Sequence, residues 1–134
     1  MRVSKALVIE TASQIADEQG LNSLSLKAVA EKLNVRTPSL YNHIESLDDL
    51  LREVAHKGMR SMNEQMAQAA IGKSGDTALK GVSVEYLNFI IEHPGVYETI
   101  QWATWHGTEE TAQIFGNYIK ILSTIISSYN FPSG

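Results

Sequence analysis

The chain has 134 residues, 43% hydrophobic and 19% charged, which marks a folded globular protein and excludes a disordered one. It has no cysteine, so disulfides and thiolate metal sites are excluded and a reducing, cytoplasmic setting is expected. The net charge of -4 disfavours a nucleic-acid partner only as a sum: residues 1–47 hold five basic and five acidic residues, which leaves six basic and ten acidic for the rest.

The N-terminal stretch MRVSKALVIETASQIADEQG turns polar within a few residues, and every apolar run is short, so neither a secretion signal nor a membrane span is expected. A first helix is predicted from about residue 3 to 19, with Val8, Ala12, Ile15 and Ala16 on one face, Glu10, Gln14, Asp17 and Glu18 outside it, and Gly20 as its stop. Ser25 can then cap a helix running from Leu26 to about Leu33, with Leu26, Val29, Ala30 and Leu33 inward. Ala30 lies where a following helix must cross closely. Asn34 stands where the chain reverses and a left-handed backbone is wanted.

A second short helix is predicted from Pro38 to about Ile44, with Thr37 as cap and Pro38 in the first position, where no N–H bond is lost. Leu40 and Ile44 should face inward, leaving Arg36, Thr37, Ser39, Tyr41, Asn42 and His43 on or near the exposed side. Such groups suit base edges and phosphate oxygens in a major groove. The two helices together read as a helix-turn-helix. Its head would have a core of Val8, Ile15, Leu24, Val29, Leu33, Leu40 and Ile44.

Ala-Val-Ala at 28–30, Val-x-x-Pro-Ser-Leu-Tyr-x-His-Ile at 35–44 and Leu-Leu at 50–51 together resemble the DNA-binding domain of the TetR family of transcriptional regulators, over roughly residues 4 to 55. The resemblance implies a repressor-like homodimer that binds operator DNA and responds to a small-molecule effector held in a C-terminal domain. It implies phosphate contacts from Ser25 and Lys27, and base contacts from Arg36, Thr37, Ser39 and Asn42. Tyr41 and His43 would hold the DNA backbone. Asn34 replaces the family's usual glycine, and Leu47 stands where a phosphate-binding lysine is usual, so that cationic contact is not expected here.

Beyond the motif, Ser46 and Asp49 form a capping-box-like start to a long helix, Leu47 to about Ala70, ending in the linker Ile71-Gly72-Lys73-Ser74-Gly75. Such a rod would connect head to body. Asp76 is the expected cap of a helix over about 77–92, with Leu79, Val82, Tyr86, Phe89 and Ile90 on its apolar side, and His93-Pro94-Gly95 breaks it. A short helix over about 96–102 follows. The stretch EHPGVYETIQW resembles a helix break in TetR members with a WHG-type C-terminal domain. Thr108, with Glu109 and Glu110 behind it, should cap a last helix to about Ser128, with Ile114, Phe115, Tyr118, Ile121, Leu122 and Ile125 as its stripe.

The resulting expectation is an all-α protein, with a three-helix head at 1–47 and a helical effector and dimerisation domain at 48–134. The chain ends at Phe131-Pro132-Ser133-Gly134, where the family continues into two further helices, so the second domain is expected to be incomplete. Within it, Tyr86, Phe89, Tyr97 and Trp102, with Trp105, His106, Phe115 and Tyr118, are candidates to line an apolar effector pocket. The same aromatics also fit the core of a small bundle. His106, Glu109 and Glu110 have metal-ligand spacing, but acidic groups at a helix start answer its dipole, and neither a metal nor a cofactor is expected. No Gly-x-Ser-x-Gly elbow, phosphate loop or paired carboxylates point to an enzyme. Two rivals fit the same residues: a helical protein-interaction module that has lost DNA binding, consistent with Leu47 and the acidic balance, and a small metal-binding helical protein.

Overall fold

The computed structural model describes residues 2–129, and every regular element among them is helical. The expectation about residues 131–134 lies outside the described residues. Ser4 opens α1 (Lys5–Gln19), its hydroxyl accepting from Leu7 N at 3.1 Å. Gly20 ends the helix at φ 91°, a backbone that side chains resist. A single 3-10 turn (Leu21–Ser23) leads to Ser25, whose hydroxyl accepts from Ala28 N at 3.0 Å and starts α2 (Leu26–Leu33). Asn34 closes α2 in the left-handed conformation, φ 56° and ψ 44°, and Val35 N reaches back to Ala30 O at 3.0 Å.

The next helix departs from expectation. α3 covers only Thr37–Leu40, and Thr37 is its first residue rather than its cap; Arg36 holds the cap position with no side-chain bond. From Leu40 the chain continues in tighter i→i+3 turns, with Tyr41 N on Pro38 O at 3.2 Å and His43 N on Leu40 O at 2.9 Å. The polar run Tyr41-Asn42-His43 has little helix propensity, so burial of Leu40 and Ile44 at its two ends shapes the segment. Val8, Ile15, Leu24, Val29 and Leu33 join these two in the core, as their spacing required.

Ser46 caps α4 (Leu47–Ala70) by accepting from Asp49 N at 3.1 Å, while Asp49 Oδ2 accepts from Glu45 N at 2.9 Å. This helix is the spine of the molecule: Leu50, Val54, Met59, Met62 and Met66 are buried along it, and α1, α5 (Gly75–Glu92), α6 (Pro94–His106) and α7 (Glu109–Ser127) all pack against it. Gly58 lies at the α6 crossing, where a Cβ would run into Val96.

Three details differ from the sequence reading. Asp76 lies inside the first turn of α5, with Ser74 in the cap position, and its Oδ1 accepts from Tyr129 OH at 2.7 Å. α6 is nearly twice its expected length, because Pro94 serves as a first-turn residue and no stop occurs before Gly107. Leu79 and Phe115, assigned to buried stripes, are 42% and 47% exposed, whereas Ala78 and Thr111 are buried in α5 and α7. No helix among the described residues is long and apolar enough to cross a membrane.

Candidate nucleic-acid interface

The turn from α2 to α3 presents its polar side chains as a group. Arg36, Ser39, Tyr41 (56% exposed) and Asn42 are exposed, Thr37 and His43 are half-buried, and Leu40 beneath them is fully buried. A rigid apolar anchor under an exposed polar rim is what base reading requires, since side chains must reach groove edges from a fixed backbone. Lys27 is exposed in the first turn of α2, beside Ser25, whose Oγ accepts Ala28 N–H and whose own proton remains to be donated. The first N–H groups of α2 have no intrahelical acceptor, so this end of the helix suits a phosphate oxygen.

Charge pairing separates the cations of the head into two sets. Lys5 pairs with Glu53 at 3.7 Å and Lys32 with Glu18 at 3.6 Å. Lys27 and Arg36 form no ion pair among the described residues and flank the polar rim. Leu47 is half-buried against the core.

The predicted aromatic set divides among four places. Tyr86, Tyr97, Phe115 and Tyr118 line one groove of about 220 Å³ together with Met59, Met62 and Ile100. Tyr86 OH and Tyr97 OH are 2.9 Å apart, and burial together with this bond pushes the Tyr86 phenol well above its ordinary range. Phe115 also borders a second groove of about 270 Å³, with Met59, Thr104, Trp105 and Thr111, and Trp105 stands 83% exposed at its rim. The two grooves share Met59, Ile100, Thr104 and Phe115. Phe89 belongs elsewhere, packed in the core beside His93 and Val96. Trp102 and His106 stack on each other, ring centroids 4.6 Å apart, and line neither groove. His106 Nδ1 lies 3.0 Å from Trp102 O, and Glu110 pairs with Arg60, so His106, Glu109 and Glu110 do not converge.

Two polar junctions tie the elements together, and neither was evident from spacing. Asp17 Oδ1 accepts from Val96 N at 2.8 Å and its Oδ2 lies 2.8 Å from His93 Nδ1, so α1 caps α6. The available signal was the break at 93–95: His93 offers no capping oxygen and Pro94 no N–H, so α6 needs an acceptor from another element. The second junction is His56 on α4, 2% exposed, with Nε2 2.6 Å from Thr111 Oγ1. Burial lowers the His56 pKa, and the carboxylates of Glu110 and Glu53 partly oppose that effect. Nearby, Asn63 Nδ2 donates to Ile114 O at 3.1 Å.

Comparison with known proteins agrees with this arrangement. The sequence pattern of the family described as "Bacterial regulatory proteins, tetR family" matches residues 8–54, the head and the start of α4. The HTH-type transcriptional regulator YobS of Bacillus subtilis is 40% identical over 96 residues, 72% of this chain and 50% of that protein. The HTH-type transcriptional regulator Rv0681 of Mycobacterium tuberculosis is 29% identical over 130 residues, 96% of this chain and 59% of that protein. The chain thus spans between half and three-fifths of the length of these relatives. A solved tetR-family regulatory protein from Rhodococcus RHA1 superposes with a TM-score of 0.77 at 16% identity, covering 96% of this chain and 70% of that one, which shows a shared fold. Head, spine and helical body coincide with that fold, and the head carries the family's own sequence pattern: the chain belongs to the TetR family of bacterial regulatory proteins.

Proposed function

We propose that this chain works in a cytoplasmic transcriptional regulator of repressor type, binding operator DNA as a homodimer. Residues 1–47 are the DNA-reading head and 48–134 belong to the body that pairs two copies and takes a small-molecule effector. Arg36, Thr37, Ser39 and Asn42 reach bases, while Ser25, Lys27, Tyr41 and His43 hold the sugar-phosphate backbone. The observation that carries this reading is the exposed polar rim over buried Leu40, flanked by the unpaired cations Lys27 and Arg36. A head seated on its operator excludes other proteins from that duplex, which is repression in its simplest form.

In this reading the effector binds in the joined grooves at Tyr86, Tyr97, Phe115 and Tyr118, extending to Trp105. Their walls come from α4, α5, α6 and α7, and α6 is capped by α1 of the head through Asp17. A ligand that leans on α6 therefore moves α1 against α4 and re-aims the reading segment between them. The experiment is light scattering for mass in solution, followed by titration of the same preparation onto duplex DNA at two salt concentrations. A dimer whose affinity falls steeply with salt is the expected result. Salt-independent or absent DNA affinity in a folded dimer refutes the reading and favours the protein-interaction alternative.

A further inference from the structure

Glu53 and His56 lie three residues apart on one face of α4, and the first turn of α7 brings Glu110 against them. One ligand atom from each residue lies within 4.8 Å of the other two. The imidazole is oriented from one side only: Nε2 meets Thr111 Oγ1 at 2.6 Å, whereas Nδ1 is buried, has no hydrogen-bond partner and faces Glu110 Oε2 at 3.6 Å. A buried nitrogen left unpaired is an exception that calls for a partner. Here it is aimed at two carboxylates.

We propose that Glu53, His56 and Glu110 form a binding site for one divalent transition-metal ion of the zinc class, with His56 Nδ1 and one oxygen of each glutamate as ligands. The site goes beyond DNA reading and does not depend on it. Thr111 Oγ1 can accept from Nε2–H while also accepting from Thr108 N at 2.9 Å, which leaves the Nδ1 lone pair free to coordinate. Metal-binding histidines are held in this way, by a partner on the second ring nitrogen. Arg60 engages Glu110 through Oε1, so Oε2 is the oxygen turned toward Nδ1. Lys5 lies 3.7 Å from Glu53 Oε2, and Arg52 donates to His106 O at 3.2 Å.

Among the described residues these three cations are the charged groups around the cluster, and the contact of Arg60 with Glu110 orients the ligand rather than replacing it. One imidazole and two carboxylates suit zinc, manganese, iron, cobalt or nickel; calcium and magnesium prefer oxygen-only sets, and copper(I) prefers sulfur. Three protein ligands leave a coordination position for water or for an effector's own donor atom. The ion would join the middle of the spine α4 to the start of α7.

The test is calorimetric titration of chelator-treated protein with zinc(II). One ion per chain is expected, and Glu53→Gln and Glu110→Gln should each weaken binding by about tenfold or more. The double variant should abolish it, and X-ray absorption of the loaded protein should show a single imidazole among oxygen ligands. His56→Gln should also lose the ion; should that buried substitution prevent folding, Glu110→Gln at an exposed position carries the same test. Absence of saturable binding overturns the site, as does binding that persists in a folded double glutamine variant. Binding that follows His43, His93 or His106 instead overturns it equally.

Discussion

Asp17→Ala removes the only side-chain acceptor at the N-terminus of α6 among the described residues and tests the junction between head and body. The Val96 N–H it now satisfies is buried, and leaving such a donor unpaired costs about 1–3 kcal/mol. The contact with His93 adds little, because that side chain is 43% exposed and exposed pairs contribute about 0–1 kcal/mol. Loss of the carboxylate from the positive end of the helix dipole adds a further few tenths, about 0.3–1 kcal/mol. A total near 2–3 kcal/mol corresponds to a Tm lower by about 5–10 °C for a chain of this size. Asp17→Asn keeps an acceptor for Val96 and loses mainly the charge, so it should cost about 1 kcal/mol or less. Thermal and urea unfolding followed by circular dichroism gives both numbers. An Asp17→Ala protein that melts within roughly 1 °C of the parent, or an Asn variant as damaged as Ala, would show that α1 does not cap α6.

Gly95→Ala probes the same contact sterically: a Cβ there lands on the Ala16 carbonyl, so unfolding should show a loss of about 1–3 kcal/mol, and the double variant with Asp17→Ala should be non-additive. Asn34→Ala forces a side chain without local hydrogen bonding into the left-handed region at a cost of about 1–2 kcal/mol, while Asn34→Gly should unfold at the parent's urea midpoint or above it. If Arg36 and Asn42 read bases, replacing either by Ala should cost about 1–3 kcal/mol on operator DNA and leave random duplex far less affected. Equal losses on both duplexes would reassign them to the phosphates.

The head was legible because its signals are local. Ser25 and Asn34 mark the two ends of α2 within the chain's own sequence, and Leu40 and Ile44 mark the inner side of the reading segment by spacing alone. The length of α3 was not legible, since the tightening after Leu40 depends on how the segment seats on the core. The body was read less well for a related reason. α5 and α7 are apolar on more than one side, so periodicity could not say whether Leu79 or Ala78, Phe115 or Thr111, faces α4. The aromatics at 86, 97, 115 and 118 do converge, whereas Phe89 and Trp102 turn elsewhere. Asp17 and His56 act through partners 79 and 55 residues away, and no spacing rule reaches that far.

The salt dependence of DNA binding can be worked out from the ion pairs. Neutralising Z phosphates gives a slope of log K against log salt of about −0.9Z. Lys5 and Lys32 already face Glu53 and Glu18, which leaves Lys27 and Arg36 beside the reading segment and Arg2 at the start of the chain. With Arg36 engaged on a base, a dimer using Lys27 from each head contacts two phosphates, for a slope of about −1.8; adding Arg2 makes four and about −3.6. Lys27→Ala should flatten either value by about 1.8, because it removes one contact per head. These slopes are shallow for a dimeric regulator and follow from a head with no net charge rather than from a weak fold. A measured slope of about −7 would mean that Lys5 and Lys32 leave their carboxylates for DNA. In that case Glu53→Gln and Glu18→Gln should tighten binding at low salt, and if they do not, the division of these cations into paired and free sets is wrong.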